Sequence, residues 1–98
     1  MRDTVGVFLM KWRAHVVLPY IKGRLLDIGC GSNYLVKSYA GKGLGIDVFP
    51  WEGVDMMVES SAHLPFADKS FDTISIIASL NHIPERRETL AESRRILK

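Results

Sequence analysis

The sequence predicts an α/β fold, a parallel sheet with flanking helices, on three observations. Leu25-Leu26-Asp27-Ile28 is a short apolar run that stops abruptly at Gly29-Cys30-Gly31, and a helix-compatible stretch, Tyr34-Leu35-Val36, follows at once. Gly43-Leu44-Gly45-Ile46-Asp47-Val48 reads as a second strand ending in an acid. Phe71 to Ala78, rich in isoleucine, is a further strand-like run ahead of a charged helical stretch. Near-continuous apolar strands separated by helices suit a sheet buried on both faces.

Thr4 to about Ile21 is expected to be helical. Val5, Phe8, Leu9, Trp12 and Val16 recur at helical spacing as one apolar stripe, and Pro19 ends or kinks the helix. A helix packed on the sheet through that stripe is the expectation; a helix lying on a membrane surface is the alternative, weakened by the scarcity of basic residues on its polar face. Lys22-Gly23 turns the chain into strand one, Arg24 to Gly29. A short helix, Tyr34 to Ala40, carries Ser32 or Asn33 as its N-cap and closes at Gly41-Lys42-Gly43. Strand two is Leu44 to Asp47. Val54 to Val58 is half polar, which suits a strand at the sheet edge. Glu59 to Lys69 is a long connection of the kind that often carries function. Strand four, Phe71 to Ala78, draws β-branched content from Ile74, Ile76 and Ile77, and Asn81-His82-Ile83-Pro84 leads into a last helix with Pro84 in its first turn.

The turn is where chemistry is expected. Gly29 and Gly31 lack a Cβ, so the backbone can take unusual dihedrals and a ligand can approach it closely. Strand, glycine turn and helix start form a common entrance for a nucleotide-type ligand, although the same pattern also serves as a plain connection. Asp47 tips the balance. It lies near the spacing at which a ribose-binding carboxylate belongs, and two acceptor oxygens can grip both ribose hydroxyls.

With that pairing, Asp27-Ile28-Gly29-Cys30-Gly31 and Gly45-Ile46-Asp47 resemble the first two motifs of the class I S-adenosylmethionine-dependent methyltransferases. Ala62-His63-Leu64-Pro65-Phe66 and Ser70-Phe71-Asp72-Thr73-Ile74 resemble that family's loop after strand three and its fourth strand, and Asn81-His82-Ile83-Pro84-Glu85 with Leu90 to Lys98 resemble the helix that follows. The match runs from about Leu25 to the last residue, in family order. It implies a Rossmann-like sheet truncated after the helix that follows strand four, so that 1–98 is a partial domain: an N-terminal helix over 1–23 and a cofactor-binding half over 24–98. By the same resemblance the N-terminal helix can act as a cap over the ligand.

The resemblance implies S-adenosyl-L-methionine as cofactor and methyl transfer to a small-molecule acceptor. Gly29, Cys30 and Gly31 would approach the amino-acid portion, with the helix N-terminus facing its carboxylate and Asp27 near its amino end. Asp47 would take the ribose hydroxyls and Val48 the adenine face. Ser61, where relatives commonly carry an aspartate, and the Ala62 backbone would serve adenine. Asn33 stands where many relatives have a third glycine, a place its tolerance of left-handed dihedrals allows. His82 as general base and Asn81 as a positioning group are the catalytic candidates.

A nicotinamide- or flavin-dependent oxidoreductase is the enzyme rival, and it fails at Tyr34, where its fingerprint needs glycine or alanine. A non-catalytic module that binds cofactor or a partner, or a fragment needing further strands, remains open. An exposed edge beyond strand four would favour self-association or a partner chain.

At 98 residues the chain holds one modest core. A net charge of +2, with scattered basic residues, argues against nucleic acid, and Arg86-Arg87 and Arg94-Arg95 are expected on a solvated helix face. No His or Cys grouping has metal-ligand spacing, so no metal is expected. Cys30 is the single cysteine, which excludes an internal disulfide; its small size explains its place between the glycines. No run reaches the roughly 18 apolar residues of a membrane span and no secretory signal is visible, so the expected location is cytoplasmic.

Overall fold

The computed structural model describes residues 4–77 and 83–98. Its centre is a four-stranded parallel sheet in the order β3-β2-β1-β4, formed by β1 (Leu25–Ile28), β2 (Gly43–Asp47), β3 (Met56–Met57) and β4 (Thr73–Ser75). β1 lies between β2 and β4, pairing Asp27 with Gly45 on one side and with Ser75 on the other. All four β1 residues are buried. That burial is why the strand reads as a continuous apolar run rather than an alternating one.

Helices cover both faces, as expected. Leu26, Ile28 and Ile46 meet Leu64, Phe71 and Ile96 in one core, beneath α3 (Arg86–Ile96). Leu25 meets Ala14 and Leu35 in the other, beneath α1 (Thr4–Val17) and α2 (Tyr34–Ser38). Successive β1 side chains therefore feed opposite layers, and Asp27 follows Leu25 towards the α1–α2 side.

The N-terminal helix ends where Pro19 requires, in a 3₁₀ turn over Leu18–Tyr20. Its orientation differs from the expectation. Val5, Phe8, Leu9, Trp12 and Val16 are 37–67% exposed, and the helix instead packs through Ala14, Val17 and the following Leu18. The physical reason is composition: α1 is apolar nearly all round, and a close approach to β1 and α2 selects the face with the smaller side chains.

Other elements are shorter than expected. β3 covers only Met56–Met57, at the edge, and β4 only Thr73–Ser75. α2 stops at Ser38 without a left-handed glycine cap, because Tyr39 is extended at the C-cap and its hydroxyl reaches across to donate to the Gly23 carbonyl at 2.7 Å. Pro84 precedes α3, whose N-cap is Glu85. Arg95 is not on a solvated face. Its guanidinium donates to Glu92, Asp68 and the carbonyls of Leu64 and Phe66, fastening α3 to the connection before β4. Arg95 and the Leu64 N–H together hold the Glu92 carboxyl down at about 2.

The turn after β1 packs closely on β2 because of Gly45. A Cβ there would run into the Asn33 amide and Cys30 Cβ. Gly45→Ala is expected to cost about 1–3 kcal/mol by overpacking. Urea unfolding should also show a smaller cost in an Asn33→Gly background, since the clash partner is then absent.

Candidate functional site

The turn after β1 carries three left-handed residues in alternation, Gly29 (φ +74°), Gly31 (φ +57°) and Asn33 (φ +68°). β2 holds it in place. The Ile46 carbonyl accepts from Gly29 N–H at 2.9 Å and Cys30 N–H at 3.0 Å, and Asp47 Oδ2 accepts from Gly31 N–H at 3.0 Å. Above Gly31 lies open space, so its dihedral, and not crowding, requires glycine there.

Asn33 is fully buried and does not cap α2 with its side chain. Its Nδ2 donates instead to the Gly53 carbonyl at 3.1 Å and to Asp55 Oδ2 at 2.8 Å. The same Asp55 oxygen accepts from Gly45 N–H at 2.8 Å. One carboxylate thus binds the turn, β2 and the loop before β3 into a unit.

Two cavities open on either side of Gly29, which lines both. The larger, about 380 Å³, is lined by Asp47 and Val48, the aromatic residues Phe49 and Trp51, and Ser61. The smaller, about 180 Å³, is lined by Asp27, Cys30 and Gly31 together with Met10, Arg13 and Tyr34. Asp47 is buried, its Oδ1 accepting from Phe49 N–H at 3.0 Å. Each of its oxygens therefore keeps one lone pair for a ligand hydroxyl.

Of the residues singled out from sequence, Gly29, Asp47, Val48 and Ser61 meet in the larger cavity, and Asp27, Cys30 and Gly31 in the smaller. Ala62 does not line either cavity, and its N–H is taken by Ser60 Oγ at 3.1 Å. Asn81 and His82 lie outside the described residues. Sequence reasoning missed Trp51, Arg13 and Ser75. The aromatic pair Phe49 and Trp51, just past the second motif, was the available signal for the first.

A family model described as a methyltransferase domain matches residues 26–98. The chain belongs to that family. Demethylmenaquinone methyltransferase of Renibacterium salmoninarum is 29% identical over 103 residues, covering 90% of this chain and 44% of the relative. Among solved structures, a SAM-dependent methyltransferase from Archaeoglobus fulgidus is 30% identical with a TM-score of 0.70, over 98% of this chain and 54% of that one. The PH0226 protein of Pyrococcus horikoshii superposes with a TM-score of 0.79 at 23% identity, covering 99% and 52%. The chain therefore spans about half the length of the relatives it matches.

The electrostatics of this methyltransferase domain are set by its buried acids. Burial pushes the Asp27 carboxyl up to about 6; the Ser75 hydroxyl, donating to Oδ1 at 2.9 Å, offsets part of this, and the Asp47 charge adds to it. Burial and the carboxylates of Asp27, Asp47 and Asp55 push the Cys30 thiol up to about 12, so it is protonated at neutral pH and not a nucleophile.

Asp27 carries a prediction with a definite sign. Between its ordinary 3.8 and about 6 the folded chain holds a proton that the unfolded chain releases. Stability therefore falls as pH rises through that window. Asp27→Asn is expected to be more stable than wild type at pH 8 by about 1–3 kcal/mol, with the gap closing by pH 4. Urea unfolding at the two pH values checks this; equal stability at pH 8 would contradict it.

Proposed function

We propose that this domain binds S-adenosylmethionine across Gly29 and serves methyl transfer to a small-molecule acceptor. The observation that carries the proposal is the pair of cavities joined at Gly29, each with a buried carboxylate in its wall. Such a site suits a ligand with a hydroxylated nucleoside at one end and a cationic amine at the other. The fit is specific in its chemistry. Asp47 keeps acceptor capacity for two ribose hydroxyls, Val48 and Trp51 offer apolar surface to a base, and the open space above Gly31 admits a ligand against the backbone.

When bound, the sulfonium supplies an already activated methyl group. The chain's own part is binding and orientation, and proximity of that kind supplies several kcal/mol in transfer reactions. Asp47 anchors the nucleoside, and its bond to Gly31 N–H couples that anchor to the turn. Asp27 offers its carboxylate to the amine. Ser61, in the wall of the larger cavity, is the acceptor for the base's amino group, weaker than a carboxylate would be. Asn81 and His82 follow β4 in the chain and are proposed to position the acceptor and take its proton.

The names of the curated relatives support a small-molecule acceptor, since demethylmenaquinone is one. No helix among the described residues is long and apolar enough to cross a membrane, which suits the proposed cytoplasmic location. The outer side of β4 is where a further strand, from this chain or another, is proposed to pair; Leu97 already forms a parallel bridge with Phe71 beside it.

Calorimetric titration of the 98-residue chain with S-adenosylhomocysteine tests the proposal. Saturable one-to-one binding is expected, and Asp47→Ala should weaken it by about 1–3 kcal/mol. Equal affinity in wild type and variant would remove Asp47 from the site.

A further inference from the structure

The smaller cavity poses a problem that the glycine turn does not solve. An amino-acid end carries a carboxylate as well as an amine, and a glycine turn leading into a helix ordinarily offers free N–H groups to an anion. Here most of the turn's own N–H groups are occupied. Gly29 and Cys30 donate to the Ile46 carbonyl, Gly31 to Asp47, and Asn33 to the Cys30 carbonyl at 2.9 Å. Within the turn itself, Gly29 to Asn33, only Ser32 N–H lacks a partner among the described residues. α2 has five residues, Tyr34–Ser38, too few for a substantial dipole. The surroundings are also acidic, with Asp27 in this cavity and Asp47 just beyond the turn.

The cation comes from α1. Arg13 lines the cavity together with the turn and makes no hydrogen bond or ion pair among the described residues. The neighbouring side chains of α1 are by contrast engaged in docking the helix on the turn. Ser32 Oγ donates to Met10 Sδ at 3.3 Å, His15 Nε2 is 3.0 Å from the Tyr34 hydroxyl, and Lys11 Nζ lies 5.7 Å from the Tyr34 ring centroid. These contacts seat the helix with Arg13 in the wall of the cavity.

We infer that Arg13 is the carboxylate ligand of this site, so that the smaller cavity recognises an α-amino acid zwitterion between the Arg13 guanidinium and the Asp27 carboxylate. The inference rests on the S-adenosyl reading of the site and deepens it, giving α1 a part in binding. A guanidinium fork matches a carboxylate in two parallel hydrogen bonds. A phosphate in the same place would meet Asp27 as a like charge. The arrangement therefore discriminates by sign at both ends of the amino acid, which a bare anion site would not.

Two ligands separate this inference from the reading beneath it. S-adenosylhomocysteine has the amino-acid end, and 5′-methylthioadenosine keeps the nucleoside and sulfur without it. Calorimetry with wild type, Arg13→Gln and Arg13→Lys is the test. Arg13→Gln is expected to weaken S-adenosylhomocysteine roughly 10- to 100-fold while leaving 5′-methylthioadenosine unchanged, and Arg13→Lys should recover part of the loss. Unchanged S-adenosylhomocysteine affinity in Arg13→Gln would overturn the inference and leave the S-adenosyl reading intact. Equal loss of both ligands would overturn it too, assigning Arg13 a structural part in seating α1. Failure of wild type to bind either ligand would sink the underlying reading itself.

Discussion

β2 satisfies the backbone of the turn that follows β1, and most of the site's properties trace to that constraint. The Ile46 carbonyl takes two N–H groups and the Asp47 carboxylate takes a third. Buried backbone donors must find partners, and here they find them on the neighbouring strand instead of in a ligand. The cost is three residues held at positive φ, two of them glycines and the third an asparagine. In return the glycine turn is a preformed wall, and Asp47 is fixed by two backbone N–H groups before any ligand arrives.

The second consequence is the crowding of acids. Asp27, Asp47 and Asp55 lie close enough together that their charges all bear on Cys30. Asp55 is compensated by donors from Gly45 and Asn33, and Asp47 by Gly31 and Phe49. Among the described residues, Asp27 has only the Ser75 hydroxyl. A carboxylate left with so little compensation in the core costs stability, and it gains a strong reason to meet a cation. Fold and binding are in that sense opposed at Asp27, and a cationic ligand reconciles them.

Much of this was legible in the sequence. An apolar run broken by two glycines marks a buried strand and a turn, and an acid ending the next strand marks its neighbour, because both patterns are local. The family resemblance supplied the pairing of Asp27 with Asp47 as parts of one site. What stayed hidden depends on side chains meeting across the fold. α1 has apolar residues on every side, so its periodicity could not tell that Ala14 faces inward and Trp12 outward. Asn33 is the N-cap residue of α2, as its type suggested, but its side chain makes no cap bond and lies beside Gly45, with its amide donating to Gly53 and Asp55. Arg95 belonged to a basic pair on a helix, and nothing in its neighbourhood pointed to the carbonyls of Leu64 and Phe66, roughly thirty positions away in sequence but within hydrogen-bonding distance. Arg13 is one of thirteen basic residues, distinguished only by the cavity beside it.

A single ligand straddling Gly29 has a signature that two separate pockets do not. Backbone amide shifts of the labelled chain, followed by NMR through a titration with S-adenosylhomocysteine, read both cavities at once. The Asp47 to Trp51 segment and the Gly29 to Ser32 turn should shift together, along one saturation curve with one affinity. Shifts confined to one cavity, or two curves with different midpoints, would contradict a shared site.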